Sequence, residues 1–523
     1  MYNLLFEVYS EEIPSEMQHT SSFKIYSDIE KKMSALFNKK LDGNYFYTPN
    51  RIGFFILNVP SHAESVSKDI KGPKITADDK AIQGFMRKNS IKNINDMKKL
   101  GDYFFYQKTM SSKSPKEEIK SIIEDVLLSF NWPRSMRWGE YPTRWIRPIH
   151  YITCLLNEEI IPVKFGHIVA GNQTKFRDRL INVKSFESYR ELSKKENVLI
   201  FQEERLKVML SEVREKCQKH NIFLVEDYSL LKEIANLVEY PYVAIGRIEK
   251  EFLDMPREFL VSMLKFHQKY LMTEDENGDL APFFIIVSNV MTKDNLNTVI
   301  LGNEKVLKSR LYDARYFYNQ DLNYKLIERL EKLKKVTYHH KIGSYYKIVT
   351  DIKNTALNIA EQISFQDKYK VCRASLLLKS DLVTEIVSEL PDLQGIAGYY
   401  YALKDNESPD IASSIREHYL PQGPNDKVPT SNLGIIMSLA DKIIKLNSMF
   451  SINIKPTGSK DPYALRRAAI GIIRIICSNK IQINLKHLIS QEVENFIKER
   501  VEVLSKDKKN IYDIDLKYIN ESI

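Results

Sequence analysis

The chain has little of what punctuates or staples a small fold. It holds 18 glycines and 19 prolines among 523 residues, which excludes collagen-like, low-complexity and glycine-loop-rich designs. Its four cysteines, Cys154, Cys217, Cys372 and Cys477, lie far apart, and no two stand at CxxC spacing. That argues against a disulfide framework or a cysteine-based zinc site and predicts reduced, mostly buried thiols. No stretch reaches the ~18 apolar residues a membrane helix needs. Phe283–Val287 and Ile470–Ile476 come closest, and Arg474 interrupts the second. The opening MYNLLFEVYSEEIP carries Glu7, Glu11 and Glu12, where a secretory leader would be basic. The expectation is a soluble, cytoplasmic protein without a membrane partner.

Catalytic signatures are missing as well. No GxGxxG opens a helix, and no GxSxG, HExxH, HIGH-like or KMSKS-like element occurs. The paired arginines with which a class II site grips ATP are not evident either. No catalytic residue, metal or cofactor is therefore expected in this chain.

What is present supports real cores. Hydrophobic residues make up 43% and charged residues 28%, and the length suggests about three or four domains. Lys+Arg exceed Asp+Glu by 77 − 68 = 9, a mild excess that permits a polyanionic partner without demanding one. Residues 2–9 alternate as a strand and lead through Pro14 into a helix. Phe23–Lys39 puts Ile25, Ile29, Met33, Leu36 and Phe37 on one helical face. Tyr45–Val59 reads as strands around the Thr48-Pro49-Asn50 turn.

Strands and helices keep mixing to about residue 320 without a βαβ rhythm, so the fold class expected is α+β and multidomain. Helix-like stretches then take over: Asp321–Lys335, Ile352–Ile363, Ala374–Leu390, Leu433–Asn447 and Ala464–Ile476. The boundaries expected are a mixed region at 1–324, a helical domain at 325–480 and a helical tail at 481–523. The tail places Val493, Ile497, Val501 and Leu504 on one stripe, which needs a partner surface inside this chain or outside it. It then frays through Lys506-Asp507-Lys508-Lys509.

Three constellations could carry chemistry. All three tryptophans, Trp132, Trp138 and Trp145, interleave with Arg134, Arg137, Arg144 and Arg147. Guanidinium groups bind phosphates and indoles stack on bases; the plainer alternative is that the tryptophans anchor a core and the arginines pair with carboxylates. Two further basic clusters are Lys175–Arg179 and Met263–Tyr270, where His267 could face phosphate or satisfy a local carbonyl.

The second constellation is the segment Lys455–Arg467. It lacks the spacing of a phosphate-binding loop but forms a basic loop-to-helix corner, with Asp461 as cap and Pro462 at the first helical position. Lys455, Lys460, Arg466 and Arg467 are its candidates for RNA or an interface. Third, His339, Asp381 and Asp441 follow the order of an HD-type metal phosphohydrolase. The histidine of the His-Asp doublet is replaced in Lys379-Ser380-Asp381, and an ammonium or hydroxyl cannot serve as the missing metal ligand.

Ordered short segments then resemble one family, the β subunit of bacterial heterotetrameric glycyl-tRNA synthetase. They are Leu5-Phe6-Glu7-Val8, Glu11–Pro14, Thr48-Pro49-Asn50-Arg51, Trp132–Trp138, Arg144–Pro148, Val238-Glu239-Tyr240-Pro241, His267–Tyr270, Gly302–Leu307, Asp392–Gly395, Glu417–Pro421 and Lys455–Arg467. The resemblance implies a subunit of a glycine–tRNA ligase of α2β2 assembly that binds tRNA(Gly) but is not catalytic alone. It implies an α subunit that carries glycine and ATP with Mg. It also implies a B3/B4-like module followed by an HD-like helical domain.

Two departures go with it. The chain stops about where an anticodon-binding domain would begin. Asp178 also stands where a histidine is expected in Lys175–Leu180. The alternatives to this reading are an HD-type phosphohydrolase and a non-catalytic scaffold.

Overall fold

The alternation at the start of the chain is a strand, Tyr2–Ser10, and it lies in the middle of a five-stranded antiparallel sheet. The order is Glu159–Ile160, Ile149–Leu156, Tyr2–Ser10, Arg51–Val59, Asp42–Thr48. Phe6 faces Phe54 on one neighbour and Cys154 on the other. The computed structural model describes residues 1–61, 67–89, 91, 93–109, 114–292, 294, 296–423, 426–458, 460–506 and 516–523. The expected fraying at Asp507-Lys508-Lys509 lies outside them, as does Ser459. The fold is mixed α and β, and the chain falls into two units, Met1–Gly246 with Thr273–Leu301, and Arg247–Met272 with Gly302–Ile523.

In the first unit the central strand is buried on both faces, and the period of two sorts its side chains. Leu4, Phe6 and Val8 point into a core with Ile25, Ile29 and Met33 of the helix Ser15–Leu36 and Ile119, Ile123 and Val126 of the helix Pro115–Ser129. Leu5 joins Phe46, Leu155, Phe176 and Tyr189 in a second core. The first helix starts at Ser15, eight residues before the apolar stripe predicts. Its opening turns bury Gln18, Ser21 and Ser22, polar residues that hydrophobic periodicity does not register.

Glu7, on the same face as Leu5, is buried with its charge. Its carboxylate accepts hydrogen bonds from the Thr174 and Tyr189 hydroxyls and pairs with Arg51 at 3.4 Å. Arg51, 0% exposed, pairs also with Glu239 and donates to the Lys175 carbonyl. Its guanidinium lies over the rings of Tyr9 and Phe176, at 4.9 and 5.0 Å. Glu239 accepts from Thr48 at 2.8 Å, and its own N–H donates to Asn289 at 2.8 Å. Three of the short segments singled out above, around Glu7, Arg51 and Glu239, thus meet at one guanidinium.

The second unit is almost wholly helical; its one described ladder is the small hairpin Thr337–His339 with Gly343–Ser344. The expected helices match Tyr345–Gln362, Asn432–Ser451 and Leu465–Ser478, with Ile363 and Ala464 falling just outside as cap residues. Two stretches differ. Ala374–Leu390 is broken: Lys368–Leu377 ends, and a 3-10 turn at Ser380–Val383 and a short α-helix at Glu385–Glu389 follow. The helix expected at Asp321 begins at Leu326 and winds more tightly, as a 3-10 helix to Lys335. Asp321 is drawn away from it, because its carboxylate accepts the N–H groups of Glu385 and Ile386 and the Tyr401 hydroxyl, each at 3.0 Å, and pairs with Arg329 at 3.1 Å.

The stripe Val493, Ile497 and Val501 on the helix Gln491–Lys506 is buried. That helix packs on Leu465–Ser478 and Asn432–Ser451, so its partner is inside this chain. Cys154, Cys217, Cys372 and Cys477 are free thiols, and all but Cys372 are buried. Among the described residues no helix is long and apolar enough to cross a membrane.

Arg51→Met leaves two buried carboxylates without their counter-charge and should cost about 3–5 kcal/mol, read as a lower urea midpoint. The triple change Glu7→Gln, Arg51→Met, Glu239→Gln should cost less than the single one. Equal midpoints for the single and triple variants would show that the pairing does not hold the unit.

Candidate functional site

The tryptophan block is built from the inside out. Trp132 and Trp145 are buried in the first core, 4.9 Å apart and edge to face. Trp145 also meets Phe165 at 5.2 Å, while Trp138 packs at the margin. A two-residue ladder, Met136–Arg137 with Arg144–Trp145, ties the block together. Arg134, Arg137, Arg144 and Arg147 are all exposed. Arg144 donates to the Ser135 hydroxyl and carbonyl at 3.0 and 3.2 Å, and Arg147 to the Ile146 carbonyl at 3.3 Å. Among the described residues none of the four pairs with a carboxylate. The indoles do anchor a core, as the plainer alternative held, but its carboxylate partners for the arginines are not there. What results is a rigid platform that presents guanidinium groups to solvent.

The other clusters are occupied. Arg177 donates to Asn289 and the Asn197 carbonyl. His267 lies 3.7 Å from Asp392.

In the second unit, sequence-distant residues converge on a cavity of about 400 Å³. Its floor is an ammonium. Lys379 donates to His418 Nε2 at 2.8 Å and to Asp441 at 2.9 Å, with the Tyr419 ring 4.2 Å away. His418 Nδ1 lies 2.6 Å from the Ile415 carbonyl; that nitrogen must carry the proton, so Nε2 is free to accept from Lys379. Burial, then the charge on Lys379, hold His418 neutral. Burial pushes Asp441 up, but the neighbouring ammonium of Lys379 above all, with Lys442 beside it, outweighs that and holds the carboxyl at about 2.

Lys442, next along the helix, is tied down by three acceptors: the His418 carbonyl at 3.1 Å, the Leu420 carbonyl at 2.7 Å and the Ser438 hydroxyl at 2.8 Å. Burial above all lowers it to about 7. Its stem passes over Gly471, where a β-carbon would stand 2.8 Å from Lys442 Cε. Glycine is required there by close approach rather than by backbone angle.

The three residues in HD order are not gathered. Asp441 is at the cavity. Asp381 is fully buried and accepts the N–H groups of Gly395 and Gly398 on one oxygen; its other oxygen has no hydrogen-bond partner. Burial raises its carboxyl to about 6. His339 sits on the hairpin beside His340 and Tyr463, and no hydrogen bond or ion pair joins it to either aspartate. Sequence reasoning missed His418 and Lys442 and treated Lys379 only as a lost ligand. The Asp441-Lys442 doublet inside the apolar run Leu433–Leu446 was the available signal, since charges rarely enter a buried helix face unpaired.

The Lys455–Arg467 segment forms one wall. Asp461 takes the N–H groups of Leu465 and Arg466 on its two oxygens at 2.8 and 2.9 Å, but it is not the residue next to the helix, and Pro462, expected at the first helical position, lies outside it. The helix itself begins at Leu465, because Ala464 adopts the left-handed region at φ 54°. That region is uncommon for a residue with a β-carbon and clusters at functional sites. Ala464 and Arg467 line the cavity. Lys455 is exposed and paired with Glu492 at 2.9 Å. Lys460 is exposed, and Arg466 is half-buried.

Comparison with known proteins agrees with the short segments. The family model described as glycyl-tRNA synthetase beta subunit matches residues 4–516. The glycine–tRNA ligase beta subunit of Rickettsia bellii is 37% identical over 99% of this chain and 80% of its own length. That of Rickettsia prowazekii is 38% identical over 98% and 79%, and that of Phenylobacterium zucineum is 36% identical over 98% and 78%.

Lys379→Met should lower stability by about 3 kcal/mol by stranding Asp441. In a double-mutant cycle with Asp441→Asn the coupling should exceed about 1 kcal/mol; a coupling near zero would mean that the ion pair is incidental. Asp381 has a raised folded pKa, so the stability it contributes is complete below pH 3.8, its unfolded value, and is lost as pH rises through about 6. Relative to Asp381→Asn, the wild type should therefore be better off at pH 4 than at pH 7.5 by about 2.4 kcal/mol. Melting curves of both proteins at the two pH values would check this, and a difference that does not change with pH would refute it.

Proposed function

The chain belongs to the glycyl-tRNA synthetase beta subunit family, and from that footing we propose that it is the tRNA-gripping half of a glycine–tRNA ligase. It works beside an α subunit in an α2β2 assembly, and that partner activates glycine with ATP and Mg and forms the ester. This chain contributes no reacting group. It supplies phosphate contacts and shape recognition, which hold tRNA(Gly) where the partner can act on it. The first region is read as a B3/B4-like module and the helical one as an HD-like domain that does not use a metal.

The observation that carries this reading is the platform. Arg134, Arg137, Arg144 and Arg147 stand exposed on a tryptophan-anchored base without carboxylate partners among the described residues. Arginines positioned by a core and left unneutralised match a phosphate backbone. Lys460, Arg466 and Arg467 form a second set of the same kind, whereas Lys455 is partly answered by Glu492.

Replacing the four platform arginines with alanine should weaken tRNA binding. It should also flatten the slope of log K against log salt by roughly 0.7–0.9 for each phosphate that is no longer neutralised. The buried tryptophans should keep the melting temperature near that of the wild type. An unchanged slope would remove these arginines from the RNA surface. Charging of tRNA by the α subunit alone at the full rate would remove the gripping role altogether.

A further inference from the structure

The cavity of the second unit carries a charge imbalance that its own residues do not settle. Lys379, Lys442, Lys445 and Arg467 line it, against a single carboxylate, Asp441. Lys379 and Lys442 spend their donors inside the protein, on His418 and Asp441 and on three oxygen acceptors respectively. Lys445 and Arg467 do not: no hydrogen bond or ion pair engages either among the described residues. Lys445 is half-buried and Arg467 exposed; Lys445 feels burial first, then the attraction of Asp441 and the like charges of Lys379 and Arg467.

Two basic side chains with free donors, facing one concave space, are an arrangement that an anion stabilises. The rest of the wall narrows the choice of anion. Tyr338 and Tyr345 line the same space with rings edge to face at 5.1 Å, and Gln394 and Gln422 offer amides. A volume of about 400 Å³ is within the range of small-molecule sites. It has room for more than a lone phosphate.

We propose that this cavity is a binding site for a free nucleoside monophosphate, with the phosphate between Lys445 and Arg467 and the base against Tyr338 and Tyr345. This needs no reaction, and of the side chains assigned to tRNA it draws only on Arg467. Lys379 and Asp441 neutralise each other at the floor, and Lys442 is held off by its carbonyl partners. The anion is therefore met by Lys445 and Arg467, the two lining cations whose donors no hydrogen bond or ion pair takes among the described residues.

The test is calorimetric titration of the full chain with AMP, GMP, CMP and UMP, with adenosine and inorganic phosphate as partial ligands. At least one nucleotide should bind with one-to-one stoichiometry, and at least tenfold more tightly than adenosine or phosphate. Lys445→Ala should weaken that binding at least tenfold with an unchanged melting temperature, since Lys445 makes no internal hydrogen bond. Tyr345→Leu should weaken the nucleotide while leaving inorganic phosphate as it was. No binding of any of the four at millimolar concentration overturns the proposal, as does a wild-type affinity in Lys445→Ala. Displacement of the nucleotide by tRNA in step with tRNA binding also overturns it and assigns the cavity to the RNA surface. The salt-slope test of the platform arginines is read on different residues, so either result can fail without the other.

Discussion

One guanidinium holds the first unit in register. Arg51 lies between Glu7 and Glu239, which come from a sheet strand and from a segment more than 180 residues further on. A buried arginine between two carboxylates gives little net stability over an apolar filling, but it is intolerant of losing a member. It also has a geometry. The planar fork meets Glu7 from one side and Glu239 and the Lys175 carbonyl from the other, with aromatic rings above it. Such a network admits one arrangement of the central sheet, the hairpin of Lys175 and the Glu239 segment. The tryptophan block, which belongs to the core on the opposite face of that sheet, inherits its position from the same arrangement.

Positive charge is handled in two opposite ways. On the platform, arginine heads are kept in water while neighbouring indoles supply rigidity, so the charge costs little to maintain and is available to a partner. In the helical unit, lysines are drawn inside and matched to imidazole, carboxylate and carbonyl groups. Burial of an ammonium disfavours its charged form, and the lowered value of Lys442 reflects that cost. Arg467, on the cavity wall but exposed, belongs to both regimes.

Much of this could be read from residues alone. Alternation marked the first strand and the hairpin after it, and helical spacing marked Tyr345–Gln362, Asn432–Ser451, Leu465–Ser478 and the stripe of Gln491–Lys506, but not Gln202–His220 or Asn297–Asp321. That Asp461 would take N–H groups of the following helix was legible because capping is local chemistry, but the start of that helix was not. Other features depended on tertiary partners. The first helix hid its opening turns behind buried Gln18, Ser21 and Ser22. The stretch from Ala374 looked continuous because nothing local announces that Asp321 will take the N–H groups of Glu385 and Ile386. The platform arginines were visible as a cluster, but their exposure was not, since the same spacing suits a salt-bridged core. For the cavity, order in sequence pointed to His339, whereas space selected His418, and only the fold brings an ammonium within reach of that ring.

The floor of the cavity has a consequence for how the protein is maintained. The positive centre between His418 and Asp441 is attached to the backbone through Lys379. It is made at the ribosome with the rest of the chain, in fixed stoichiometry. No chelator can strip it, no competing ion can displace it, and no scarcity of transition elements can leave this cluster of the second unit half-assembled.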